Sequence, residues 1–280
     1  MKINCSIDGK VLPASKALVS IFDNALFYAD GLFETFLAVN DRAIFLEDHL
    51  ERFENGARLI NINIPVSRKK LSQWINDSIA LNPAPVKKVR VTLTAGDSRF
   101  WSGRKQKPRL LIIVAEHRLP NKPFRLNVSP YVVDERSPFR RVKTLSFVLE
   151  MSSRKLAYID GFDDAILLNH KGNVAETSSA NIFWVENNEL FTPPLSAGCL
   201  EGMTRRHILT LASDEGIRVR EKNINLKNLL KSEEIFICSS IKLVLPVTHI
   251  FHDKIGYDFS AGELTARIQR LLRELIFQGK

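Results

Sequence analysis

The sequence predicts an α+β protein of two domains. Three observations predict it. Strand pairs with tight turns alternate irregularly with a few amphipathic helices. A proline-bearing stretch without period, "EHRLPNKPF" at 116–124, breaks the pattern near residue 120. Neither half shows the regular strand and helix alternation of a doubly wound sheet, and no G-x-G-x-x-G is present. The expected division is residues 1–118, a linker at 119–124, and residues 125–280.

The elements follow in order. "KINCSIDGKVL" reads as a hairpin turning at Asp8-Gly9, and "GLFETFLAVNDRAIFL" as a second turning at Asn40-Asp41. In "LEDHLERFENGARLINI", Leu46, Leu50, Phe53 and Leu59 fall near helical spacing. Ser67 is placed to cap a second helix that ends before Pro83, and strands follow at 87–94 and 109–115. Beyond the linker come a strand at 125–133, a helix at 145–158, and strands around 163–168, 180–186 and 189–191, with turns at "NHKGN" and "ENNE". A helix at 203–215 stops at Gly216, and a closing helix at 260–277 sets Leu264, Ile268, Leu271 and Leu275 on one face.

Composition narrows the function. The chain has 280 residues, 45% of them hydrophobic, and a net charge of +9, which suits a folded globular protein. Its N-terminus lacks a signal-peptide core, and its longest apolar run, "LLIIVA", is too short to span a bilayer, so a cytoplasmic protein is expected, without a membrane partner. The basic residues are scattered and no nucleic-acid motif accompanies them, so no nucleic-acid partner is expected. Cys5, Cys199 and Cys238 are odd in number and widely spaced, which points to reduced thiols and no metal.

The chemistry centres on Lys143 and Glu176. Lys143 precedes an amphipathic segment in "RRVKTLSFVLEMSSRKL", where partial desolvation suits an amine nucleophile; taken alone, among 40 basic residues, it reads more readily as a surface lysine. Glu176 opens a core strand in "NVAETSSANIFW" and would be a poorly solvated charge unless a cation or donor meets it. Pyridoxal phosphate needs a lysine, an anionic partner for its ring nitrogen, a basic side chain on its phosphate and free N–H groups at a helix start. Candidates for the last two are Arg52 in "DHLERF" and the helix start Gly202, Met203 and Thr204 in "LEGMTRRH". Asn181 reads as a side chain that holds the turn beside Glu176.

Six blocks in order, "YADGLFETF", "HLERFENGARL", "VKTLSF", "DDAILLNHKGNVAETSSANIFWV", "LFTPPLSAGCLEGMTR" and "EEIFICSSIKLVLPV", resemble the class IV aminotransferases, the fold-type IV pyridoxal phosphate enzymes. That group includes branched-chain aminotransferases, D-amino acid transaminases and aminodeoxychorismate lyases. The resemblance implies a small N-terminal α/β sandwich and a larger, barrel-like C-terminal β domain with helices. It implies pyridoxal 5'-phosphate as cofactor and a homodimer. Lys143 is similar to the Schiff-base lysine, Glu176 to the partner of the ring nitrogen and Arg52 to the phosphate-binding arginine. Met203, Thr204 and Ser240 are similar to the remaining phosphate-side residues.

Departures bear on the substrate. Branched-chain transaminases carry a tyrosine four residues after the lysine, where Phe147 stands here. Arg99 in "AGDSRFWSGR" has no histidine beside it of the kind D-amino acid transaminases use, and Ala95 stands where lyases often have an arginine. Thr35 matches the lyase threonine, and Phe33, Thr35 and Arg99 are the substrate-side candidates. The expected activity is transfer of an amino group between an amino acid and a 2-oxo acid. The alternatives are lysis of aminodeoxychorismate to 4-aminobenzoate and pyruvate, and a non-enzymatic basic binding protein, which the joint presence of Lys143 and Glu176 disfavours.

Overall fold

The computed structural model describes residues 3–97 and 107–278. Arg99 lies outside these. The chain divides into two compact units, Met1–Arg118 with Val142–Ser146, and Leu119–Arg141 with Phe147–Lys280.

The first unit runs β1 (Ile3–Ile7), β2 (Lys10–Pro13), α1 (Asn24–Tyr28), β3 (Gly31–Val39), β4 (Arg42–Ala43), α2 (Leu46–Leu59), α3 (Arg68–Ala80), β5 (Val86–Thr94) and β6 (Arg109–Glu116). Its strands form one antiparallel sheet in the order β2-β1-β6-β5-β3-β4. The turn at Asp8-Gly9 has both residues at positive φ, as a two-residue hairpin turn requires. The Ser67 side chain accepts from the Lys70 N–H and caps α3. Leu50, Phe53 and Ala57 of α2 and Leu71, Ile75 and Ile79 of α3 share a core with Leu32, Phe36 and Ala38 of β3 and with Val89, Val91 and Leu93 of β5. Leu59, expected on that face, is exposed, because Gly56 and Ala57 occupy the inward positions of the last turn.

Strand alternation then fixes which side chains share a surface. Glu34 lies on the helix-covered face of β3 with Leu32 and Phe36. Phe33 and Thr35 point the other way, opposite Thr92 and Arg90 of β5 in register. The segment Val142–Ser146, expected with the C-terminal domain, groups with this unit because its backbone pairs with β3. The Phe33 N–H donates to the Lys143 carbonyl (2.8 Å) and the Leu145 N–H to the Gly31 carbonyl (2.9 Å).

The second unit contains β7 (Phe124–Val133), α4 (Val148–Ile159), β8 (Asp164–Asn169), β9 (Val174–Thr177), β10 (Asn181–Glu186) and β11 (Glu189–Thr192). There follow α5 (Met203–Asp214), β12 (Val219–Glu221), α6 (Leu226–Leu229), β13 (Glu234–Ser239), β14 (Leu243–His252), β15 (Ile255–Asp258) and α7 (Glu263–Phe277). Nine strands form a mixed sheet, β12-β11-β10-β13-β14-β7-β8-β9, with β15 on β14, that curls into a half-barrel. Register shifts in the β14·β7, β7·β8 and β8·β9 pairings supply local bending. α4 begins at Val148, later than expected, so Lys143 lies on extended chain and not at a helix start. In α7 the buried face is Thr265, Ile268, Leu272 and Ile276; the expected Leu271 and Leu275 flank it.

Candidate active site

In the second unit the candidate residues converge around Glu176. Glu176 closes β9, one residue before its end, and is 7% exposed. Its carboxylate accepts from Arg140 Nη2 at 2.7 Å on Oε1, and from the Leu200 N–H at 3.2 Å and Asn181 Nδ2 at 3.3 Å on Oε2. The condition set for a carboxylate in this strand, that a cation or donor meets it, is filled from within the chain: Arg140, 36 positions away, supplies the cation.

Asn181 joins Glu176 to the α5 start. Its Nδ2 also donates to the Leu200 carbonyl (2.9 Å). Gly202 packs against it so closely that a Cβ there would stand 1.9 Å from Asn181 Oδ1. Gly202 is the N-cap of α5 and provides no side-chain cap, which leaves the first-turn N–H groups, Met203 and Thr204 among them, for another acceptor. Met203 and Thr204 are both buried. On the strand side, Asn181 lies opposite Cys238 of β13, so the turn that carries Ser240 leaves the sheet at the same end. Phe147 precedes α4 as its N-cap and brings no hydroxyl.

The hydroxyls of "ETSS" have a different task. Thr177 Oγ1 donates to Asp164 Oδ2 at 3.0 Å, and Ser178 and Ser179 also donate to that carboxylate, which is fully buried. Lys242 Nζ lies 3.7 Å from Asp164 Oδ2 and bonds Ser179. These contacts satisfy a buried charge and hold the loop after Glu176.

The first unit carries a second constellation. Lys143 is half-buried, with Nζ 4.7 Å from the centre of the Phe33 ring. Arg90 stacks on the same ring at 3.6 Å and donates Nε to Thr92 Oγ1 at 3.3 Å. Burial pushes the Arg90 guanidinium below its ordinary value, and among the described residues no carboxylate pairs with it. Thr35 lies directly across from Arg90 on this face.

Arg90 escaped the sequence reading. In "VKKVRVTLT" it sits between two core valines and looks like the solvent side of an alternating strand; only its register against Phe33 and Thr35 reveals its surroundings.

On the helix side of β3, Glu34 accepts from Arg52 Nε and Nη2, each at 2.7 Å, and from His49 Nδ1 at 2.7 Å. Burial alone would raise the Glu34 carboxyl, but Arg52 and His49 hold it down, at about 2. Burial holds the His49 imidazole below its ordinary value despite the Glu34 carboxylate.

Thus Lys143, Phe33, Thr35 and Arg52 belong to the first unit, and Glu176, Phe147, Met203, Thr204 and Ser240 to the second. All three cysteines are buried and unbridged. Among the described residues no group of three or more His, Cys, Asp or Glu is placed to hold a metal ion, and no helix is long and apolar enough to cross a membrane.

Comparison with known proteins shows the family. Residues 31–250 match the family described as Amino-transferase class IV. A Methanocaldococcus jannaschii protein, provisionally a branched-chain-amino-acid aminotransferase, is 28% identical over 280 residues, covering 96% of this chain and 95% of its own. An aminodeoxychorismate lyase of Bacillus subtilis is 27% identical over 276 residues, covering 96% and 94%. The crystal structure of a branched-chain aminotransferase from Thermoproteus uzoniensis with norvaline superposes with a TM-score of 0.92 at 25% identity, over 99% of this chain and 95% of that one.

Proposed function

Because the chain belongs to the class IV aminotransferase family, whose enzymes depend on pyridoxal phosphate, we propose that it binds pyridoxal 5'-phosphate and moves an amino group between an amino acid and a 2-oxo acid. One observation carries the cofactor assignment. A buried, multiply hydrogen-bonded Glu176 is tied through Asn181 and Leu200 to an uncapped helix start. An anionic acceptor beside an anion-binding N-terminus fits a ligand that has both a protonated ring nitrogen and a phosphate.

When bound, pyridoxal phosphate would supply a sink for the electron pair left on the substrate's α-carbon when its proton is removed. Lys143 is the amine we assign to hold the cofactor and then to take and return that proton. Glu176 would hold a proton at the ring nitrogen. In the second unit the Met203 and Thr204 N–H groups, the Thr204 hydroxyl and Ser240 are assigned to the phosphate; in the first, Arg52 is assigned to it by its family resemblance alone. The Phe147 side chain has no hydroxyl where the branched-chain enzymes have a tyrosine, so the cofactor's phenolic oxygen would need another donor.

Arg90 is the group we assign to an anionic part of the substrate. A half-buried guanidinium stacked on Phe33, with no carboxylate partner among the described residues, favours a carboxylate from outside the chain. Phe33 and Thr35 would form the rest of that surface. Arg99 stays a substrate-side candidate from the sequence alone.

A homodimer belongs to the same proposal. Leu18, Ile21, Leu26 and Tyr28 form an exposed apolar run that a second copy would cover, and light scattering at twice the chain mass is expected.

The deciding assay offers L- and D-amino donors with 2-oxoglutarate or pyruvate, beside aminodeoxychorismate with pyruvate detection. Amino transfer is expected. Pyruvate release from aminodeoxychorismate without amino transfer would favour lysis instead, the activity named for the Bacillus subtilis relative. Lys143→Ala should abolish turnover and leave the melting temperature nearly unchanged, because a half-buried lysine contributes little packing. Retained turnover would move the role to another lysine, Lys155 first.

A further inference from the structure

Arg140 does not serve Glu176 alone. It lies in the turn Pro138–Arg141, where Nε donates to the Gly198 carbonyl at 2.8 Å and Nη2 to Glu176 at 2.7 Å. Its Nη1 donates to Glu150 Oε1. The side chains of Arg140, Glu150 and Glu176 are 17%, 8% and 10% exposed. One largely buried cation therefore stands between two largely buried carboxylates, and the group carries a net negative charge when all three are ionised.

Pairing Glu176 requires only the arginine. A second buried carboxylate is costly, and its place in the first turn of α4 offsets that cost only in part. Its presence has an electrostatic consequence. Donors such as Arg140, Asn181 and the Leu200 N–H draw charge from the Glu176 oxygens and would make it a weak proton acceptor. A guanidinium shared with Glu150 draws less. Facing Glu176 within this unit are Arg140, with Glu150 behind it, the neutral Asn181, and Cys199, whose thiol is pushed up to about 12 by burial and by the Glu176 carboxylate and so stays neutral.

We propose that Glu150, acting through Arg140, is the positioning residue that keeps Glu176 basic enough to hold a proton on the cofactor's ring nitrogen. This rests on the assignment of Glu176 to that nitrogen. Glu150 itself touches neither substrate nor cofactor in this scheme; it works by dividing the charge of Arg140.

The test uses holoenzyme reconstituted with cofactor labelled with ¹⁵N in the ring, and compares Glu150→Gln with Glu150→Asp. Gln preserves size and removes charge; Asp preserves charge and disturbs packing. In wild type the ring ¹⁵N resonance should lie at the protonated position. Glu150→Gln should move it toward the neutral position and lower kcat about tenfold, with cofactor affinity within about threefold. Glu150→Asp should leave the resonance in place even if the melting temperature falls. Should Glu150→Gln fail to fold, Glu150→Ala provides a second neutral variant with the same expected shift. An unmoved resonance in the neutral variants beside a protonated wild type overturns the inference alone. A neutral ring nitrogen in wild-type holoenzyme overturns the Glu176 assignment and this inference with it.

Discussion

Each unit buries a carboxylate against an arginine, and the two pairs are built for opposite purposes. In the first, Glu34 takes two nitrogens of Arg52 and the His49 imidazole, so the carboxylate grips the guanidinium from one edge. In the second, Arg140 spreads its nitrogens over Glu176, Glu150 and a carbonyl, so no single carboxylate owns it. A bidentate grip fixes an arginine in place. A shared arginine leaves its carboxylates with residual basicity. The difference teaches that Glu34 serves to aim a cation, whereas Arg140 serves to hold an anion.

The comparison can be broken by removing one charge from each pair. Glu34→Gln takes from Arg52 the carboxylate that holds two of its nitrogens, deep in a packed unit, and should cost about 3–5 kcal/mol of stability. Glu176→Gln leaves Arg140 its bond to Glu150 and should cost far less. Denaturant unfolding of both variants measures this, and equal losses would erase the distinction.

Acid sharpens it next. The Glu34 carboxyl stands at about 2 in the folded chain against an ordinary 4.5, so the unfolded chain takes up the proton first. Its contribution, roughly 3 kcal/mol, is complete above about pH 4.5 and is lost as pH falls toward 2. His49 acts with the same sign. Held below its ordinary 6.5 by burial, it costs stability once the unfolded chain begins to protonate below that pH. Unfolding free energy followed from pH 7 to 2 should fall in these two windows, and Glu34→Gln should remove the lower one.

Function separates the pairs in the other direction. Glu176→Gln keeps size and a hydrogen-bonding group but loses the charge assigned to the ring nitrogen. It should still bind cofactor while turnover falls about a hundredfold, equivalent to about 2.7 kcal/mol of barrier. A stable variant with unimpaired turnover would return Glu176 to a purely structural role.

What the sequence disclosed of all this follows the range of the interactions. The Asp8-Gly9 turn and the Ser67 cap were legible because each is decided within four residues. The helix start at Met203 was legible from Gly202 for the same reason. The face of α7 was misread because "LLRELI" offers two adjacent stripes, Leu271 with Leu275 and Leu272 with Ile276, that the helical period alone does not separate; packing on the sheet chose the second. Glu176 was visible as an odd carboxylate in a core strand, but its cation was hidden 36 positions upstream among scattered arginines. Arg90 was hidden by strand pairing, since its neighbours in the chain are not its neighbours in space.

The smallest expected effect concerns the cation that Glu34 aims. Arg52→Ala removes a charge-assisted contact assigned to the cofactor's phosphate and should weaken cofactor affinity by roughly 1.5–3 kcal/mol, about ten- to a hundredfold and some more. The same change leaves Glu34 buried with only His49 of its two side-chain partners, so stability should fall as well. The two losses can be told apart. Arg52→Lys retains a charge but cannot grip both Glu34 oxygens through two nitrogens of a rigid fork. If Glu34 matters because it aims the cation, Arg52→Lys should recover part of the stability and little of the cofactor affinity. If simple charge suffices at the phosphate, affinity in Arg52→Lys should return close to wild type, and the contrast between an aimed cation and a shared one would no longer bear on cofactor binding.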